Sequence, residues 1–260
     1  MLRFVFNFNY ANGVSLDDGE AWYHGPHVEE LKAIPGVQCY RSWRALKVPE
    51  NISRVMSPPE DDYVRRSEVW FESYEAWEAS RECWVASQEG APGFRGLDAI
   101  FVANEPQYDL LRDVPPEHYK YIAWPIQWRG GGPPEIEDGG DTVLYSYFVP
   151  RPSHISAAKA DDWYLGHHTR EGKQMPSIKH YKIWSTISVP EQPRHGLVQP
   201  DHWYRLTELG MSFSNFYTTM LDPKVGVLFT PNPDPGPPPS GEPSGRGNIF
   251  IKLDEAERLI

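Results

Sequence analysis

The stretch Trp22-Tyr23-His24-Gly25-Pro26-His27 returns 141 residues later as Trp163-Tyr164-Leu165-Gly166-His167-His168, and the register runs without a gap to Trp43 and Trp184. Over positions 22–43 and 163–184 the shared residues are Trp22/Trp163, Tyr23/Tyr164, Gly25/Gly166, His27/His168, Glu30/Glu171, Lys32/Lys173, Pro35/Pro176, Tyr40/Tyr181 and Trp43/Trp184. Matches among such rare residue types mean that the chain carries one structural unit twice. A repeat this long requires both copies to form the same supersecondary unit. The 260 residues therefore divide into two halves of roughly 120 to 130 residues, each large enough for a core.

Periodicity describes that unit. Leu2–Tyr10 alternates, with Phe4, Phe6 and Phe8 on one side of a strand, and the same shift places Tyr145, Tyr147 and Val149 beneath them. A helix opening with the Trp-Tyr motif follows in each half and ends at Pro35-Gly36 or Pro176-Ser177, because proline cannot continue it. Second strands are predicted at 37–46 and 178–189, and third strands at 67–73 and 202–209. Short aromatic helices follow at 74–84 and 214–221, and fourth strands at 99–103 and 248–253. The order in each half is βαββαβ, the ferredoxin-like plan. The first unit spans 1–117 and the second 142–260. Between them lie an arm at 118–128, expected to add an edge strand or to cross between halves, and the Gly/Pro linker at 130–140. The proline-rich run 231–247 cannot pack a core and reads as a solvated loop before the last strand.

A strand, a helix opening on Trp-Tyr-x-x-x-His, then Pro-Gly and a strand bearing a tyrosine resembles the EthD-like family of dimeric α+β barrels. The resemblance covers most of the chain. It implies an α+β fold in which two tandem ferredoxin-like units set their sheets face to face and form an intramolecular dimeric α+β barrel, with the ligand pocket in its interior. In relatives the two units usually come from two chains. The reaction is less constrained, because related barrels include cyclases, decarboxylases, muconolactone isomerases, small monooxygenases and haem enzymes.

The balance of 25 basic against 36 acidic residues, a net charge of −11, argues against nucleic-acid or anionic-membrane partners. No apolar run approaches the ~20 residues of a membrane span and no signal-peptide core is evident, so a cytoplasmic location is expected. Cys39 and Cys83 are expected to be small buried residues rather than a disulfide or metal site. No dinucleotide fingerprint, phosphate loop or nucleophile elbow occurs, and the adjacent His167-His168 pair lacks helical ligand spacing; neither a metal nor a cofactor is expected from the residues themselves.

Histidine suits proton transfer near neutrality. His27 and His168 share one repeat position, expected at the barrel mouth, where each either moves a proton or holds the helix start to a strand. His24 and His167 differ between the copies, facing Leu165 and Pro26, and suit a task specific to one site. Tyr23 and Tyr164 complete the candidate catalytic set as donors to a developing anion. Trp22, Trp163, Tyr40, Tyr181, Trp43, Trp184, Phe6 and Tyr147 are the candidate lining of a substrate pocket, and the same aromatics also suit a core. The leading expectation is a cofactor-independent lyase, isomerase or cyclase acting on an aromatic or cyclic small molecule. The alternatives are a haem-binding, chlorite-dismutase-like barrel with His168 as axial ligand, and a non-catalytic ligand-binding protein serving a catabolic oxygenase. A homodimer is compatible with either arrangement.

Overall fold

The structure is a computed structural model that describes residues 1–46, 63–86, 94–109, 142–150, 154–169, 178–187, 203–212, 249–252 and 256–260. The first half contains β1 (Leu2–Tyr10), α1 (Leu16–Trp22), a π-helical turn (Tyr23–His27), α2 (Val28–Lys32), β2 (Val37–Arg44), β3 (Arg65–Phe71), α3 (Tyr74–Ala86), β4 (Phe94–Ala103) and the short β5 (Tyr108–Asp109). The second contains β6 (Thr142–Pro150), α4 (Ala157–Trp163), a second π turn (Tyr164–His168), β7 (Ile178–Ser185), β8 (Trp203–Ser212), β9 (Ile249–Lys252) and β10 (Glu257–Arg258). The expected helix at 214–221, the arm, the linker and the proline-rich run lie outside the described residues.

Two five-stranded antiparallel sheets form, with orders β10-β2-β3-β1-β4 and β5-β7-β8-β6-β9. Each therefore has the ferredoxin-like core order plus an edge strand from the other half of the chain: β10 pairs with β2, and β5 with β7. The sheets meet at one seam through the Val102–Thr186 bridge and a hydrogen bond from Ile187 N to Phe101 O of 2.8 Å. At the other, Trp43 of β2 packs against Ile249 and Ile251 of β9. The molecule is thus an α+β pair of ferredoxin-like units forming a barrel within one chain.

Strand alternation sends each sheet's side chains to two different places. Phe4, Phe6 and Phe8 face α1 and α2, packing with Trp22, Tyr23, Val28 and Leu31 in the largest apolar cluster. Burying each large side chain contributes about 1.5–3 kcal/mol, which is how an amphipathic helix this short is held in place. The opposite faces supply the barrel interior, where Val5, Ile100 and Val102 meet Phe148, Trp184 and Leu206. An eight-stranded barrel is just wide enough for its side chains to fill, and these residues are buried. Along this stretch the interior holds packed apolar side chains.

Candidate functional site

The repeated motif lies in the helix–sheet layer. Ser15 caps α1 by accepting from Asp18 N at 3.1 Å, and Ser156 caps α4 by accepting from Lys159 N at 3.3 Å, so each helix starts at the same point of the repeat. The π turn that follows brings tyrosine and histidine four residues apart onto one side, with ring centroids at 5.2 Å for Tyr23/His27 and 5.1 Å for Tyr164/His168. Pro26 is not the cause of the turn, because the second copy makes the same turn with His167 in that place.

In the first half the layer is closed. His27 is 0% exposed, packed between Trp22 and Tyr23, with Nε2 3.3 Å from the Tyr40 hydroxyl. Burial drives its pKa down to about 3, so the ring is neutral. Tyr40 is hydrogen-bonded to Tyr23, Tyr23 to Ser67 at 2.6 Å, and Ser67 to Ser42 at 3.1 Å. Burial raises both phenols, and they remain protonated. Arg65 stacks 4.6 Å from the Tyr23 ring and holds Glu20. Burial works against ionisation of Glu20, but hydrogen bonds from Arg65, Tyr10 and Arg44 win and hold its carboxyl at about 2. β10 adds Glu257, which meets Arg65 at 2.8 Å and His24 Nε2 at 2.9 Å.

The second half repeats this plan in a more open form. Tyr164 is bonded to Thr207 at 2.6 Å and Tyr147 at 3.0 Å. Arg205 takes the place of Arg65, bonded to Asp161 and reached by Gln107 of the first half at 2.6 Å. Three differences stand out. Tyr147 replaces Phe6 and adds a hydroxyl; His168 is partly exposed where His27 is sealed; and Trp163 is partly exposed, with a buried indole Nε1 that has no hydrogen-bond partner among the described residues.

A third group lies between the sheets. Glu208 accepts from Arg3 at 2.8 Å, from Arg66, and interacts with His180 Nε2 at 2.9 Å; Glu68 accepts from Arg3 and Arg66. Arg3 also sits 4.6 Å from the Trp184 ring and 5.7 Å from the Trp70 ring. Burial alone would push the Glu208 carboxyl up, but Arg66, Arg3 and His180 overcome it and hold it well below the usual carboxylate range. This cluster joins β1 and β3 to β8 and so links the two halves.

The predicted site residues thus separate into distinct environments. Trp22, Tyr23, His27, Tyr40 and Phe6 form the sealed helix–sheet core of the first half, not a barrel mouth. Tyr147, Trp163, Tyr164, His168 and Tyr181 belong to the corresponding layer of the second. Trp43 and Trp184 lie in the barrel interior. His24 is a surface ligand of Glu257, and His167 is exposed. Cys39, expected to be buried, is only partly so; nothing is described of the Cys83 side chain. Sequence reasoning missed Arg65/Arg205, Ser67/Thr207 and Glu68/Glu208. The signal was present: Arg-x-Ser/Thr-Glu recurs in β3 and β8 at a spacing of 140 residues, one short of the motif's 141.

No protein-family model and no curated protein sequence matches the chain. Among solved structures, a chlorite dismutase variant from Candidatus Nitrospira defluvii in complex with cyanide is similar over 99% of this chain and 91% of its own, at 11% identity and a TM-score of 0.51. The chlorite dismutase of that organism in complex with imidazole aligns over 96% and 90%, at 12% identity and a TM-score of 0.44. A candidate monooxygenase from Fusobacterium nucleatum subsp. nucleatum aligns over 99% and 94%, at 9% identity and 0.41. The first of these carries the fold: the chain has the architecture of a chlorite-dismutase-like barrel. That is the barrel of the chlorite-dismutase-like alternative, and at 11% identity the likeness concerns the fold alone.

Proposed function

We propose that this barrel is a chlorite-dismutase-like ligand-binding enzyme whose reactive site is the helix face of its second half, and that haem is its first candidate ligand. The observation that carries this reading is the contrast between Trp163/His168 and Trp22/His27. The same pair is sealed in one half, whereas in the other it offers a partly exposed imidazole beside a buried indole N–H that has no hydrogen-bond partner among the described residues. The residues fit a haem there: the His168 imidazole, stacked 5.0 Å from Trp163, would hold the iron, and the Trp163 indole N–H would donate to an acceptor such as a carboxylate. They do not fit one in the first half, where Phe4, Phe6 and Phe8 pack directly against the motif. A bound haem would supply redox chemistry at an iron centre. The chain's own part is to hold the ligand through His168, to keep Tyr147 and Tyr164 as protonated donors, and to exclude water from the layer beneath them.

Adding haem to the purified protein should produce a Soret band that is lost in His168→Ala and kept in the exposed-site control His154→Ala. Absence of the band in the wild type would overturn the haem reading. It would leave the second reading, cofactor-independent acid–base chemistry on an aromatic or cyclic small molecule by a lyase or isomerase route. The Tyr147–Tyr164–Thr207 hydroxyl chain favours that reading, since it can steady an enolate or phenolate. Tight binding without turnover would indicate the accessory role instead. The Trp-Tyr-x-Gly-x-His motif supports EthD-like membership in each case, with units at 1–117 and 142–260, a cytoplasmic setting and an optional homodimer.

A further inference from the structure

His180 and Glu208 were not anticipated from sequence and belong to no part of the helix-face site. The strand directions place them. β1, β2, β6 and β7 run the same way, so their first residues and the last residues of β3 and β8 gather at one end of the barrel. Arg3 and His180 stand near the starts of β1 and β7 and Trp70 near the end of β3, while Glu68 and Glu208, in the middle of β3 and β8, reach Arg3 and His180 from within the barrel. We propose that His180 and Glu208 form a carboxylate-oriented general base opening at that end of the barrel, suited to a small planar aromatic carbon or oxygen acid.

Hydrogen-bond complementarity sets the tautomer. The Glu208 carboxylate, flanked by Arg3 and Arg66, can only accept, so the imidazole Nε2 at 2.9 Å must donate. In the neutral ring the lone pair then lies on Nδ1. That atom makes no hydrogen bond among the described residues, and the His180 side chain is 16% exposed. A carboxylate that fixes one nitrogen as donor presents the other as base, the division of labour found in catalytic triads.

The arrangement is not a requirement of the fold. The first half has Glu68 at the matching place in β3, bonded to the same two arginines, but carries Cys39 where the second half has His180. Arg3, which bonds Glu208 at 2.8 Å, also lies 5.7 Å from the half-buried Trp70 ring, with Arg41 5.4 Å from the same ring, an aromatic surface flanked by cations that suits a flat molecule becoming an anion. In the proposed step a C–H or O–H proton of the guest passes to Nδ1. The bonding pair stays on the guest, and Glu208 balances the imidazolium.

The probe is 5-nitrobenzisoxazole, from which a base removes the ring C–H proton as the N–O bond breaks, releasing a coloured cyanonitrophenolate with no other reactant. The full chain should accelerate this reaction beyond an equal concentration of free imidazole. His180→Gln should lower the protein's rate on the order of ten- to a hundred-fold with an unchanged circular dichroism spectrum, and His154→Gln should retain it. Long-range proton–nitrogen NMR of the wild type should show His180 protonated at Nε2 and not at Nδ1. An undiminished rate in His180→Gln, a wild type no faster than imidazole, or the Nδ1–H tautomer would each overturn the proposal. None of these outcomes depends on whether haem binds at His168.

Discussion

His27 and Glu20 show how a buried residue type can be chemically silent and still govern stability. With a folded-state pKa of about 3 against an ordinary value of 6.5, His27 is neutral in the native protein and takes up a proton on unfolding at any pH between those values. Its contribution is complete above pH 6.5 and is lost progressively as the pH falls toward 3. Glu20 acts lower down. Its carboxyl, moved from 4.5 to about 2, contributes on the order of 3 kcal/mol above the unfolded value, and that is lost between about pH 4.5 and 2. Urea midpoints measured from pH 8 to pH 3 should therefore fall in two stages, and His27→Gln should remove the stage that begins below pH 6.5. That histidine and tyrosine would recur together was legible in the sequence. That His27 would be sealed was not, because the seal is made in three dimensions, by the rings of Trp22 and Tyr23 on its own helical segment and Tyr40 on β2.

At the scale of the element, the glycines of the first helical segment separate conformational need from packing need. Gly25, shared with Gly166 in the repeat, has nothing within 4 Å of where a Cβ would sit. Gly19, which the repeat does not share, would place a Cβ 2.3 Å from the Tyr10 ring. Gly25→Ala should thus be neutral or stabilising by up to about 1 kcal/mol. Gly19→Ala should destabilise by about 1–3 kcal/mol through displacement of Tyr10 and its 2.7 Å bond to Glu20. Thermal melts of both variants check the ordering. Strand and helix positions followed from alternation and proline signals to within a few residues: β3 is observed at Arg65–Phe71 against an expected 67–73, and β4 starts earlier than expected, at Phe94. The shortfall at β3 has a physical source. Arg65 and Arg66 fall outside the expected strand, but in the fold each charge is buried, Arg65 against Glu20 of α1 and Arg66 against Glu68 of its own strand and Glu208 of β8.

The whole molecule is a pseudo-symmetric barrel with unequal halves, and this scale was the least legible in sequence. The ferredoxin-like pairing follows from the repeat, but the exchange of β5 and β10 between sheets does not, since two-residue strands carry no periodicity of their own. The exchange makes each half complete the other's polar layer, with Glu257 on Arg65 and Gln107 on Arg205. Within that shared plan, Tyr147 stands in place of Phe6 and the layer around Trp163 and His168 is more exposed, and the proposal that the second half is the reactive one rests on these differences. The central claim is this inequality, and histidine-selective carbethoxylation of the native protein, followed by peptide mass spectrometry, tests it most directly. His168 should be modified at least about ten-fold faster than His27, whose reaction should await local or global unfolding. Equal rates at the two positions, or protection of His168 as complete as that of His27, would contradict the account.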